Sequence, residues 1–346
     1  MKDSHKKRKK IVTLGEIMLR LSPEGNKRII QADRFEVCFG GGEANAAVLL
    51  SGLGFESEFV TAIPANAIGD RAVAELRKYG VSTEHISRKG PRLGIYYMEN
   101  GSSVRPSNVI YDRAGSSIAL ARPEDFDFDD IFDGACWFHF TGITPALSEE
   151  AARLTKAALL AAKAKGVTVS VDLNYRKKLW TEEKAREVMS GLMQYVDVCI
   201  GNEEDAEKVL GFACRKDAAD PEEAYRDMFG RLCDAYGFRY VISSFRQSRS
   251  ASDNDWSGFI MDGETREFFH SRTYRLTPIA DRIGGGDSFA AGCICGFLDG
   301  RDMKETLSFA VAASALKHTI PGDFDLISRE EAEELMTGGG LGRVKR

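Results

Sequence analysis

The chain has 346 residues, 43% of them hydrophobic and 29% charged, with a formal net charge of −5. That length and balance suit one large α/β unit with a sizeable core, and the acidic excess argues against a general nucleic-acid or membrane-surface binder. No run reaches the ~18 apolar residues that a bilayer span needs, and seven cysteines without a CxxC pair or an HExxH motif fit neither a disulfide framework nor a structural zinc site.

Seven of the nine residues from Lys2 to Lys10 are Lys, Arg or His, which reads as a solvated, disordered tail over residues 1–9. Ile11-Val12-Thr13-Leu14 follows directly, not the apolar core of a signal peptide, so a cytosolic protein is expected. Ile11–Leu14 and Glu58–Ile63 read as early strands. Ala135–Phe140, Thr168–Leu173, Asp197–Ile200 and Tyr240–Ser244 read as later ones. Between them Glu43–Leu53, Gly69–Tyr79, Ser148–Lys165, Glu182–Gln194, Asn202–Leu210 and Pro221–Tyr236 carry Ala and Leu at helical spacing. Strand, helix and strand repeated in this order imply parallel strands with right-handed crossovers and helices on both faces. Residues 17–39 and 92–113 break the rhythm. Their short extended runs, such as Gly94–Glu99 and Ser107–Tyr111, alternate polar and apolar with no helix between them. They predict a small β-sheet that projects from the main body as a lid. Gln247–Trp256 reads as a long polar loop, and the Gly-rich, basic 337–346 as a flexible tail.

Asp281-Arg282-Ile283-Gly284-Gly285-Gly286-Asp287-Ser288-Phe289 carries the most chemistry. Phe289, Cys293, Ile294, Phe297 and Leu298 share one helical stripe, so a helix begins near Asp287. Glycines ahead of a helix let backbone N–H groups converge without obstruction. The helix N-terminus adds partial positive charge, and the two together bind phosphate oxygens. A carboxylate there repels a bound phosphate unless a hydroxyl lies between them, which is the arrangement of phosphoryl transfer with Asp287 as base. Taken alone, the same residues fit a tight glycine turn with Asp287 as helix N-cap. Neither GxxxxGK[ST] nor GxGxxG is present, so no Walker loop or dinucleotide fingerprint is indicated.

Gly284–Asp287 with Asp281 upstream resembles the C-terminal signature D-T-x-G-A-G-D of the ribokinase-like, or PfkB-type, carbohydrate kinases. Gly40-Gly41-Gly42-Glu43-Ala44-Asn45-Ala46-Ala47, followed by Leu53-Gly54, resembles that family's N-terminal signature, and the likeness runs from about Lys10 to Glu334. It implies a ribokinase-like three-layer α/β/α sandwich with a mostly parallel central sheet and a small β-sheet lid. One kinase domain would cover 10–336, using ATP and Mg2+. The resemblance also implies Asp287 as catalytic base and the amides of Gly284, Gly285 and Gly286 as the anion hole, with Gly284 and Gly286 touching ATP. Gly41 and Asn45 suit contacts to the sugar, because close backbone approach needs glycine and an amide both donates and accepts. Asn202-Glu203-Glu204-Asp205 resembles the family's N-x-x-E motif, which organises Mg2+ and phosphates through water. Asp205 is one methylene shorter than the usual Glu, a change in reach that water-bridged Mg2+ absorbs. Arg282 stands where the family has Thr and puts a cation near the phosphates. Gly285 stands where it has Ala.

Many relatives carry an Asp shortly after the first strand that holds sugar hydroxyls. The corresponding residue here is Arg20, which points away from a simple neutral sugar. Tyr96 in Gly94-Ile95-Tyr96, Tyr111 and Arg113 in Tyr111–Ser116, and Arg176 in Asp172–Arg176 resemble the pattern of 2-keto-3-deoxygluconate kinases. The likeness implies that all four contact a keto acid or the nearby phosphates. A planar guanidinium fork suits a carboxylate, and tyrosine hydroxyls grip a keto oxygen while their rings cover the carbon chain. Without the resemblance, the arginines read as surface ion-pair formers and the tyrosines as lid packing. Ser244 and Arg246 end a strand where relatives line the ATP groove. His318 precedes a turn, where it either borders the adenine or serves as a structural hydrogen-bonding residue. His139 reads as core or subunit packing.

The sequence thus reads as an ATP-dependent kinase that phosphorylates 2-keto-3-deoxy-D-gluconate at its terminal hydroxyl. A kinase of a neutral ketose such as fructose is one rival, and a non-catalytic sugar-binding regulatory protein on the same fold is another. The expected partners are a sugar acid and ATP, with no nucleic acid and no membrane. Lid strands pair between subunits in this architecture, which implies a homo-oligomer, a dimer or larger.

Overall fold

The computed structural model describes residues 8–338. The expected tails lie outside the described residues at 1–7 and at 339–346. The strands in chain order are β1 (Lys10–Leu14), β2 (Met18–Pro23), β3 (Phe35–Gly40), β4 (Glu56–Val60), β5 (Gly94–Glu99), β6 (Asn108–Asp112) and β7 (Ala135–Thr141). They continue as β8 (Thr168–Asp172), β9 (Val198–Ile200), β10 (Tyr240–Ser250), β11 (Asp253–Asp262), β12 (Phe268–His270) and β13 (Tyr274–Leu276). β4, β1, β7, β8, β9 and β10 lie side by side in that order, every neighbouring pair parallel. β11 continues the sheet antiparallel to β10, and β12 and β13 both pair antiparallel with β11, giving nine strands.

A parallel sheet is covered by helices on both faces, so its strands must be apolar on both sides. Val12 and Leu14 of β1 and Phe138 and Phe140 of β7 pack with the helices Glu149–Ala164, Glu182–Met193 and Pro221–Tyr236. Their neighbours Ile11 and Trp137 point the other way, into the helices Gly42–Gly52, Gly285–Asp299 and Met303–Lys317. His139 is also buried in this layer, with Nδ1 2.8 Å from Ser170 Oγ. No helix among the described residues is long and apolar enough to cross a membrane.

The segments that break the βα rhythm form a separate four-stranded sheet of order β3-β2-β5-β6. Two antiparallel pairs, β2–β3 and β5–β6, join through a parallel β2–β5 contact that sets Arg20 opposite Tyr96.

One region differs from the sequence expectation, and one helix falls where no expectation was drawn. The polar stretch 247–256 is a hairpin end, not a loop: β10 runs on to Ser250 and β11 returns from Asp253, with Gln247 opposite Asp255. Its β10 limb is exposed at 247–249, whereas Asn254 and Trp256 of the β11 limb are buried; backbone pairing and the Arg249–Asp255 ion pair hold it, and its mostly polar residues show no apolar alternation. The helix Met303–Lys317 has no polar stripe because it is buried on nearly all sides, against Gly285–Asp299, Arg329–Met336 and β11. A helix apolar all round gives no amphipathic period to read.

β1 has β4 on one side and β7 on the other, so the crossovers diverge there and leave a crevice at the carboxyl ends of the strands. Gly15-Glu16 after β1, Thr141 ending β7, Asp172 ending β8 and Gly201-Asn202 after β9 all reach that edge.

Phe138 is fully buried, edge-on to Phe132 at 5.1 Å and beside Phe140 at 6.0 Å. Phe138→Ala should cost about 3–5 kcal/mol through lost burial and the cavity left behind, read as a lowered urea midpoint. A midpoint equal to wild type would mean that this face of the sheet is not closed.

Candidate active site

The helix Gly285–Asp299 begins two residues earlier than its apolar stripe suggests, with Gly284 as N-cap at φ +83°. A Cβ at Gly284 would also strike the Asp323 carbonyl, so this turn requires glycine. Gly285, Gly286 and Asp287 are therefore the first three helical residues, and Asp287 is not the cap. First-turn N–H groups have no acceptor within the helix, and Gly286 is exposed with open space beside its Cα. An anionic oxygen can approach there. Gly285 faces inward: its carbonyl accepts from Ser314 Oγ at 2.6 Å, and the His318 ring lies behind it.

Asp287 Oδ2 accepts a 2.6 Å hydrogen bond from Asn45 Nδ2, and Asn45 Oδ1 accepts from the Gly41 N–H at 3.2 Å. Gly41 precedes the helix Gly42–Gly52, and a Cβ there would collide with the Glu16 carbonyl. A Cβ on Gly42 would stand 3.4 Å from Asp287 Oδ1. Two helix N-termini thus meet at one carboxylate. Burial pushes the Asp287 carboxyl up to about 6, against the lowering by Asn45, Arg176 and Lys317.

Further acids line the strand ends. Burial, reinforced by Asp205 and Asp287, holds the Asp172 carboxyl well above its usual range, and burial also raises Asp205. Asp205 accepts from the N–H groups of Tyr175 (2.8 Å) and Asn202 (3.3 Å), while Asn202 Oδ1 accepts from the Asp205 N–H at 2.9 Å. This reciprocal pair caps the short helix Glu203–Asp205. Arg176 is exposed, donates from Nη1 to the Tyr175 carbonyl at 3.1 Å, and has no ion pair among the described residues. Its charge lowers Asp287, Asp172 and Asp205 together, and its guanidinium is open to an incoming anion.

The small sheet brings its candidate residues in differently. Arg113 is buried and forked onto Glu16, with Nε–Oε2 at 2.8 Å, and its guanidinium lies 5.2 Å from the Tyr111 ring centre. Tyr111 is partly exposed and packs against Tyr96 at 5.9 Å. Tyr96 is buried, and its hydroxyl donates to Asp323 Oδ2. Arg20 is 3% exposed and bonds to Asp281, Asp323 and Ser22. Its charge is matched by protein carboxylates, so, contrary to the sequence expectation, Arg20 does not point away from a neutral sugar.

On the opposite side, Arg246 is exposed without an ion pair among the described residues, and Ser244 stands half-buried in β10 opposite Gly258. Arg282 reaches the hairpin end, donating from Nη2 to the Ser250 carbonyl (2.6 Å) and to Asn254 Oδ1 (3.0 Å). Its Nε is buried with no partner. His318 is 3% exposed, with Nδ1 2.7 Å from the Ser314 carbonyl and its ring 4.9 Å from Trp256, a position that favours the structural role. Burial lowers it to about 4, so the ring is neutral. The residues that sequence reasoning missed are Asp323 and Lys317. Asp323 was visible only as the polar end of the turn Pro321-Gly322-Asp323. Lys317 is buried beside Gly284 and donates to the Ile320 carbonyl at 2.9 Å.

The model of pfkB family carbohydrate kinases matches residues 8–325. A crystal structure of 2-dehydro-3-deoxygluconokinase from Thermotoga maritima is 50% identical with a TM-score of 0.92, covering 95% of this chain and 100% of that one. The 2-dehydro-3-deoxygalactonokinase of Haloferax volcanii is 33% identical over 96% of this chain and 98% of its own length. An Escherichia coli structure in complex with ATP and Mg2+ is 20% identical with a TM-score of 0.77, covering 95% of this chain and 99% of that one; at that identity it speaks to the ribokinase-like fold. Likeness of this extent makes the chain a member of the pfkB family of carbohydrate kinases, which are phosphotransferases.

Proposed function

We propose that this kinase transfers the terminal phosphoryl group of ATP to the terminal hydroxyl of 2-keto-3-deoxy-D-gluconate. Residues 10–336 act as one kinase domain, with the small sheet as its lid. The observation that carries the reading is Asp287, held by Asn45 beside the open first turn at Gly286, with Arg176 free to meet an acid. The Thermotoga relative, named as a kinase of this acid, supports the substrate. The name of the Haloferax relative favours a second reading, the galactonate epimer.

The accepting hydroxyl sits between Asp287 and the glycine turn. Asp287 takes its proton through the oxygen not held by Asn45. Gly286 and Asp287 N–H groups, at the positive end of the helix, stabilise charge on the transferring group. Arg176 binds the substrate carboxylate or the nearby phosphates, and the Tyr111 ring covers the carbon chain. Arg246 and Arg282, neither paired with an acid, suit the nucleotide phosphates. Asn202 and Asp205 would hold Mg2+ through water, since Mg2+ keeps most of its waters. When bound, Mg2+ neutralises phosphate charge.

Asp287 works as a base only when ionised. Its carboxyl titrates at about 6, so kcat/KM should fall as pH drops through that value and level off above it. Asp287→Asn should lose roughly 100-fold or more in turnover, with ATP and sugar binding kept. Near-normal turnover in that variant would eliminate the mechanism. Coupled ADP release should give the highest kcat/KM on the gluconate-derived acid, ahead of its galactonate epimer and of fructose. Arg176→Ala should raise KM for both acids far more than for fructose, and equal effects would count against the carboxylate assignment.

A further inference from the structure

The guanidinium of Arg20, on β2 of the small sheet, lies between two acids that flank the phosphate-binding turn. Nη2 sits 2.8 Å from Asp281 Oδ2 and Nη1 2.8 Å from Asp323 Oδ1. Nε donates to Ser22 Oγ at 2.8 Å, and Nη2 also reaches Asn100 Oδ1 at 3.5 Å. Both acids are built into the turn. Asp281 accepts from the N–H groups of Ile283 (3.0 Å) and Gly322 (3.1 Å), so it ties the entry of the glycine turn to the turn after Met303–Lys317. Asp323 lies against Gly284 through its carbonyl and against Gly40 through its carboxylate. It also accepts the Tyr96 hydroxyl from the neighbouring strand of the small sheet. Arg20, Asp281 and Asp323 are each 6% exposed or less.

Two carboxylates this close and this buried repel each other unless a cation lies between them. Lysine offers one point charge, whereas a planar fork satisfies both acids and the hydroxyl at once. We propose that Arg20 is a positioning residue that locks the small sheet to the glycine turn, so that one guanidinium sets both the wall over the acceptor and the amides that meet the phosphoryl group. This rests on the kinase reading above and adds to it a residue that touches neither substrate.

The test is Arg20→Lys in the full chain, which keeps the charge and removes the bridge. With the gluconate-derived acid, kcat should fall about 10- to 100-fold, as for a displaced reacting geometry, while KM for the acid stays within about threefold. Hydrogen exchange at residues 283–287 should quicken relative to wild type. A rise in KM with kcat unchanged would make Arg20 a substrate contact and overturn the proposal. So would lowered thermal stability with normal kcat and unchanged exchange in the turn. If Arg20→Lys does not fold, Asp281→Asn decides by the same readouts, since it removes the turn's partner and leaves Arg20 with Asp323. A wild-type chain inactive on every acid and sugar would instead reject the kinase reading, and the exchange measurement would still decide the role of Arg20.

Discussion

The hydrogen bond from the Asn45 amide to Asp287 joins positions 242 residues apart and orients the whole site. Asn45 has one turn of helix behind it and the Gly41 N–H on its other end, so its amide cannot rotate without losing a partner. That fixes which carboxylate oxygen of Asp287 is occupied and which is left open. The glycines on both sides follow from the same constraint. Gly41 lets the first helix start against the Glu16 carbonyl, and Gly284 lets the second start against the Asp323 carbonyl. A side chain at either place would move one helix start and break the contact between them.

Around that contact the chain gathers more buried acid than a site would hold without countercharge. Asp172, Asp205, Asp287, Asp323 and Asp325 all have carboxyls raised chiefly by burial. The cations opposing them divide by job. Arg20 and Lys317 are buried within the structure and hold the turn, whereas Arg176 stays exposed at the mouth. In Arg20, Asp281 and Asp323 outweigh the burial that works against its charge, so it stays protonated. Arg113, forked onto Glu16, belongs with the buried group. The division separates charge paired within the structure from charge left unpaired at its edge.

The hairpin β10–β11 flanks the glycine turn on the side away from the small sheet. Arg282 stretches from the glycine turn to the Ser250 carbonyl and Asn254, so the two regions are fastened together. His318 and Trp256 pack behind Gly285 and fill the space beneath the turn with neutral rings. The turn is therefore supported from the small sheet by Arg20, from the hairpin by Arg282 and from below by His318.

The alternation of apolar strands and amphipathic helices determined the parallel sheet. The interrupted pattern at 17–39 and 92–113 determined the second sheet, because apolar period and the succession of elements along the chain are local properties. The two glycine signatures marked the chemistry through their resemblance to the family's, since a glycine turn before a helix, taken alone, fits an ordinary helix start equally well. Tertiary structure alone decided which charges remain available. Arg20, Arg113 and Arg176 are indistinguishable as residues, and only distance to Asp281, Asp323 and Glu16 separates two that are neutralised from one that is not. It alone decided that 247–256 is a hairpin and that Met303–Lys317 is a helix, because neither a mostly polar ladder nor a helix buried on nearly all sides carries an amphipathic period. Pairing and burial depend on neighbours distant in the chain, which a one-dimensional pattern does not contain.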